Sequence, residues 1–306
     1  MVAVTGATGF IGTALCAGLL QRGYLVRILA RSPARAQHLT RQGASLVEGD
    51  LDDTGALRQL VTGSTAVIHA AGAVRGASRR DFDHINVRGT ANVLAAVAAQ
   101  PTPPRLLLLS SLAAREPGLS WYAASKRAGE ELLAARPDLD WLILRPPAVY
   151  GPGDREMLPV FRAMARGIAT VPGDATARTS LIHVTDLVSA IIACLESGAT
   201  RHQTLTLCDG KANGYDWREM ADLAAATWGR KVRLWQVPRW LLDCVAWVNL
   251  RRAGLTGHSP MLTPPKLREL RHRDWVVDNM DITRAAGWRP EITLREGLEQ
   301  LRKAEL

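Results

Sequence analysis

Short apolar runs alternate along the first two thirds of the chain with longer segments in which apolar positions recur every three or four residues. The runs fall at residues 2–5, 25–30, 45–47, 65–69, 105–110 and 141–145. Helical character lies between them, at 9–22, 33–42, 56–61, 82–100 and 121–136. This alternation predicts an α/β fold, a doubly wound parallel sheet with helices on both faces. Leu106, Leu107, Leu108 and Leu109 form an unbroken apolar run. That suits a strand covered on both sides, because alternation is lost when neither face meets water.

Pro146, Pro147, Gly151, Pro152 and Gly153 break the rhythm, and Pro172 and Gly173 break it again. A helix at 184–196 and a strand at 204–207 follow, and beyond them lie seven of the nine tryptophans. The expected organisation is a first unit of residues 1–150 completed by about 178–208. A smaller C-terminal α/β unit takes about 151–177 and 209–306. With no repeat, low-complexity tract or long polar linker, the two should pack tightly.

Composition narrows the class. With 306 residues, 47% hydrophobic and 22% charged, the chain can bury a sizeable core. The longest stretch without Asp, Glu, Lys or Arg is residues 1–21, interrupted by Gly6, Gly9, Gly12 and Gly18, and the next two, at 59–74 and 89–104, are 16 residues each and contain turn formers, so no membrane-spanning helix is expected. The first basic residue is Arg22 and glycines interrupt the start, so no export signal is expected. Cys16, Cys194, Cys208 and Cys244 lack metal-ligand spacing, which predicts reduced thiols, no metal and a cytoplasmic location. The net charge of +9 is not gathered into a Lys/Arg cluster, which argues against a nucleic-acid partner. It is biased, however: residues 1–47 hold Arg22, Arg27, Arg31, Arg35 and Arg41 but no acid.

The opening strand runs into Gly6, Gly9 and Gly12, spaced GxxGxxG, and then into a helix. Missing side chains let the turn fold tightly, let a pyrophosphate reach backbone N–H groups at the helix N-terminus, and let helix pack on strand. Gly6, Thr8, Gly9, Phe10 and Ile11 are therefore candidate dinucleotide-binding residues. The end of the second strand, where an acid would hold an NAD ribose, reads Ala30-Arg31-Ser32-Pro33-Ala34-Arg35. Arg31 and Ser32, with Arg35, suit a 2′-phosphate, so NADP(H) is favoured and NAD(H) is the alternative. Asp50 and Leu51 follow the third strand and can flank the adenine. Ala70, Ala71 and Gly72 follow the fourth and let a cofactor pass close to backbone. His69 is expected to be a satisfied core histidine.

Tyr122 and Lys126 stand four apart at the start of a predicted helix, on one face. An ammonium beside a phenol favours the phenolate, and together with the nicotinamide's positive charge would bring the tyrosine toward neutral pH as a general acid/base. The chain holds 33 Arg but only five Lys, so a lysine here points to a need for a compact ammonium that can also bond ribose hydroxyls. Ser111, at the end of the leucine strand, can bond a substrate oxygen, and Ser110 should face the other way. Asn86 is a polar side chain in an otherwise apolar helix, holding either active-site water or backbone.

With these residues the chain resembles the short-chain dehydrogenase/reductase superfamily, in its extended, epimerase/dehydratase-like branch. The segments Thr5–Gly12, Asn86–Thr90, Ser110-Ser111, Tyr122 with Lys126, Arg145–Gly153 and Leu181–Leu187 stand in the family's order over nearly the whole chain. The resemblance implies a Rossmann domain with a smaller substrate domain, and Ser111, Tyr122 and Lys126 as the catalytic triad. It also implies Asn86, Pro146 and Val149 near the cofactor, and a homodimer built on the helices at 82–100 and 121–136. Two departures separate it from nucleotide-sugar epimerases, which carry an arginine four residues before the His of the Ile-His-Val segment. That position here is Thr179, with Arg178 one residue away, and the NAD acid is absent. The nearer likeness is to hydroxysteroid dehydrogenases and dihydroflavonol reductases, which implies secondary alcohol–ketone interconversion on a small, rather apolar substrate. The alternatives are an epimerase or dehydratase with transient hydride transfer, and a non-catalytic NADP(H)-binding assembly protein.

Residues 234–252 combine Trp235, Trp240 and Trp247 with Arg239, Arg251 and Arg252. The leading expectation is an interior-facing helix. An apolar substrate pocket and a peripheral membrane contact are the competing ones.

Overall fold

A computed structural model of the chain describes residues 1–256, 260 and 262–305. The first part winds as β1 (Val2–Thr5), α1 (Phe10–Gln21), β2 (Val26–Ala30), α2 (Pro33–Arg41), β3 (Ser45–Glu48), α3 (Thr54–Val61) and β4 (Ala66–His69). It continues through α4 (Arg79–Asp83), a π-helical turn (His84–Gly89), α5 (Thr90–Ala98), β5 (Arg105–Leu109), a 3-10 turn (Leu112–Arg115), α6 (Trp121–Ala134) and β6 (Trp141–Arg145). Next come β7 (Ala148–Tyr150), α7 (Leu158–Ala165), β8 (Ile168–Val171), β9 (Arg178–Thr179), β10 (Leu181–His183), α8 (Val184–Glu196) and β11 (Gln203–Thr206). The remainder holds α9 (Trp217–Trp228), β12 (Arg233–Gln236), α10 (Arg239–Thr256), α11 (Pro264–Leu270), β13 (Asp274–Trp275), α12 (Met280–Ala286) and α13 (Leu294–Glu305).

Seven strands form one sheet in the order β11-β6-β5-β4-β1-β2-β3, each neighbouring pair parallel. The chain winds outward from β1 in both directions, so a crevice opens beyond the C-terminal ends of β1 and β4. Both faces are covered. Leu107 joins Leu15, Leu19 and Ile191 in a core under α1 and α8, while Leu106 and Leu108 join Leu57, Leu60 and Val97 under α3 and α5. The leucine run is thus an alternating strand whose two sides are equally dry.

A third core gathers Tyr150, Phe161, Met164, Met220 and Leu298 among α7, α9 and α13. Small parallel pairs, β8 with β12 and β9 with β13, complete this region.

The single helix expected at 82–100 is instead three pieces. A Ser78–Asp81 capping box opens α4, the π-helical turn follows, and α5 begins at Thr90. The widened turn lies where neighbours press closest. A Cβ at Gly129 of α6 would sit 2.6 Å from the Asn86 carbonyl, and one at Gly89 would sit 2.6 Å from Leu51.

Candidate active site

The glycine turn ends β1 and opens α1. Gly6 has φ +74°, and a Cβ there would lie 2.5 Å from the Ala71 backbone nitrogen. At Gly12 it would lie 2.1 Å from the Gly6 carbonyl, so helix and strand meet only because both positions lack side chains. Gly9 is the N-cap and offers no side-chain cap, leaving the N–H groups of the first turn of α1 without one. The Phe10 ring faces Gly153, and Ile11 packs on the α1–α8 core.

Beside this turn, Thr8, Ala30, Arg31, Ser32 and Arg35 line a cavity of about 330 Å³. Arg31 and Arg35 are exposed, and neither guanidinium has an ion pair among the described residues. Two unneutralised guanidiniums beside a hydroxyl, next to a helix N-terminus, fit a phosphate ester. No acid lines this cavity. Asp50, after β3, is occupied locally, its Oδ1 accepting the Asp52 and Asp53 N–H groups, and Leu51 packs against Gly89.

Across the crevice, Ala70 and Ala71 hang from Thr5 through their N–H groups, and Gly72 is exposed. A Cβ on Gly72 would lie 2.9 Å from Lys126 Nζ, so the ammonium rests against this loop. Lys126 is 7% exposed and donates to the Leu109 carbonyl at 3.0 Å. Burial pushes it down to about 8, while the Glu130 carboxylate opposes the shift.

Ser120 caps α6 by accepting the Ala123 N–H, which places Tyr122 in the first turn and Lys126 one turn on. Ser111, two residues past β5, lies beside the Tyr122 hydroxyl and favours its ionised form. Desolvation pushes the phenol well above its ordinary value, Ser111 pulls it back, and the Glu269 carboxylate raises it further. The shift runs opposite to the expected lowering, because desolvation outweighs the help of Ser111. Ser110 faces away and donates to buried Glu130, which also takes Arg145 in a paired contact. This network ties α6 to β5 and β6.

Asn86 is buried, and its amide is fully engaged. It accepts from the Ala73 N–H at 2.8 Å and donates to the Ala73 carbonyl and to Ser125 Oγ. It therefore clamps the loop after β4. His69 is likewise satisfied, between Thr5 and Thr90, and burial pushes it down to about 3. Pro146 is buried with its carbonyl on the Leu112 N–H, and Val149 packs from β7 onto the α1–α8 core.

Two residues of this site carried no signal in the sequence. Lys266 of α11 stands 5.0 Å from the Tyr122 ring centroid and pairs with Glu269, which also accepts the Ser120 hydroxyl at 2.5 Å. They lie far along the chain and match no spacing rule. Arg178, in contrast, is committed to Glu219, Asp216 and the carbonyls of Asn213 and Gly214.

A glycine turn at a helix N-terminus, a tyrosine beside a serine and a buried lysine on the next turn define a nicotinamide-dependent enzyme of the Rossmann type. The chain matches the NAD dependent epimerase/dehydratase family over residues 2–207 and belongs to it. Among curated relatives, the ceramide reductase of Caulobacter vibrioides is 36% identical over 95% of this chain and 96% of its own. A 2-alkyl-3-oxoalkanoate reductase of Stenotrophomonas maltophilia is 29% identical over 98% of both. The UDP-glucuronic acid 4-epimerase of Bacillus cereus, solved with UDP-glucuronic acid and NAD, shares the fold at TM-score 0.77 and 19% identity, over 99% of both chains. The protein is accordingly an NAD(P)-dependent oxidoreductase of the extended short-chain dehydrogenase/reductase type.

Proposed function

We propose that the enzyme reduces a ketone on an alkyl-chain substrate to a secondary alcohol, using NADPH. The observation that carries this reading is Ser111 beside Tyr122, with Lys126 one helical turn on and its ammonium against Gly72. NADPH, when bound, supplies hydride to the carbonyl carbon. Tyr122, protonated at neutral pH, gives its hydroxyl proton to the carbonyl oxygen. Ser111 holds that oxygen in place. Lys126, its ammonium held at the Leu109 carbonyl and against Gly72, holds ribose hydroxyls. Arg31, Ser32 and Arg35 take the 2′-phosphate, the feature that favours NADPH over NADH.

Two features favour this substrate class. The relatives are named for ceramide and for a 2-alkyl-3-oxoalkanoate, both alkyl-chain compounds. The arginine nearest the position that grips a sugar-nucleotide diphosphate is consumed by Glu219 and Asp216. The purified protein should consume NADPH with long-chain 3-oxo compounds faster than with NADH. Tightly retained NAD, with sugar-nucleotide inversion and no net NADPH consumption, would overturn the reading.

A further inference from the structure

The helix expected to face the interior does not. Along α10, Trp240, Cys244, Trp247, Val248 and Arg251 recur at intervals of one helical turn and are all exposed, with Trp240 at 67% and Trp247 at 53%. The opposite face holds the buried Ala246 and Ala253. The Arg251 guanidinium stacks 4.7 Å from the Trp247 ring centroid. Trp235, on the strand leading into the helix, is 54% exposed. Large aromatic rings left in water along one face are costly unless something covers them.

Charge decides what that is. Residues 230–252 hold six basic side chains and one acid, Asp243. Asp243 is already paired with Arg271. A two-fold contact with a second copy would set these cations against each other, which is repulsive. A surface of anionic lipid headgroups attracts them, and tryptophan favours the boundary between headgroup and acyl chain. No helix among the described residues is long and apolar enough to cross a membrane, so the contact is one of a helix lying flat.

We propose that α10 docks the enzyme onto anionic membrane surfaces, with Trp240 and Trp247 inserted and Arg239 and Arg251 on the headgroups. The docked face is close to the chemistry. α10 packs on α11, whose Lys266 reaches Tyr122, and α11 packs on α6. Docking rests on the exposed face alone and does not require the substrate assigned above.

The test is sedimentation of the full chain with vesicles. The protein should pellet with mixed phosphatidylcholine–phosphatidylglycerol vesicles at about 50 mM salt, stay in solution with pure phosphatidylcholine, and release at about 500 mM salt. The double variant R239S/R251S should bind about 30-fold more weakly, at about fivefold per basic residue. W240S/W247S should lose binding while keeping the wild-type melting temperature and its NADPH turnover of a water-soluble ketone. The proposal is overturned by wild-type protein left in the supernatant of anionic vesicles, by equal binding to neutral ones, or by a W240S/W247S variant that binds undiminished. A dimer that W240S/W247S dissociates would equally overturn it, by assigning the face to a second copy. Loss of NADPH turnover with vesicle binding intact would instead count against the catalytic reading alone.

Discussion

Replacing Lys126 with Met tests whether the ammonium beside Tyr122 is held at the expense of the fold. In the folded chain burial moves this lysine from 10.5 to about 8, so from about pH 8 to 10.5 the unfolded chain binds the proton that the native state has released. Stability of the wild type must therefore rise with pH through that window, and the variant, lacking the group, must not. Between pH 7 and 9.5 the wild type should gain about 2 kcal/mol on Lys126→Met, at about 1.4 kcal/mol for each pH step above 8. The assay is urea denaturation of cofactor-free protein in matched buffers, subtracting the two stability curves so that other titrating groups cancel. If the curves run parallel, the ammonium is as well solvated folded as unfolded, and the electrostatic account of the site fails. If they diverge with the wild type losing ground as pH rises, the lysine is stabilised by its neighbours instead.

The same deprotonation bears on activity: kcat/KM for ketone reduction should decline as pH rises through about 8, and a profile that climbs there would assign the limiting group elsewhere. Tyr122→Phe should cut kcat by about 10²–10⁴ and leave NADPH affinity intact in a fluorescence titration; near-normal turnover would move the acid to another residue. Arg31→Ala should weaken NADPH by about 10- to 100-fold without changing NADH, as removal of a charge-assisted phosphate contact requires. Equal losses for both cofactors would refute the phosphate role. Glu269→Ala strands the Ser120 hydroxyl and the Lys266 ammonium and should lower stability by about 3 kcal/mol, with Glu269→Gln recovering part of it; an unchanged melting temperature would show that the cluster contributes nothing.

The sheet was legible because its strands are buried on both faces and leave uninterrupted apolar runs, as at Leu106–Leu109, and because the Gly6–Gly12 turn admits so few substitutes. Tyr122, Lys126 and Ser111 could be placed from helix periodicity and strand alternation. The π-helical turn could not, since it answers to the pressure of Gly129 and Leu51 and not to any local propensity. Nor could the direction of the Tyr122 shift, which depends on desolvation and on Glu269 from a distant helix. The exposure of α10 was misread for a related reason. Its apolar residues spread around the helix, and a sequence rich in tryptophan, valine and leucine on all sides reads as interior until the packing shows which side has no neighbour.

The hydrogen bond from Ser120 to Glu269 joins positions 149 residues apart and seals the first turn of the tyrosine's helix from behind. A nascent chain emerging from the ribosome carries the whole nucleotide cradle long before it carries α11, so a partly synthesised molecule has the grip without the finished reaction chamber. Proteolytic clipping ahead of α11 would remove the lysine above the tyrosine's ring and the carboxylate behind it, and with them Ile282 and Trp288 from the core beneath α1 and α8.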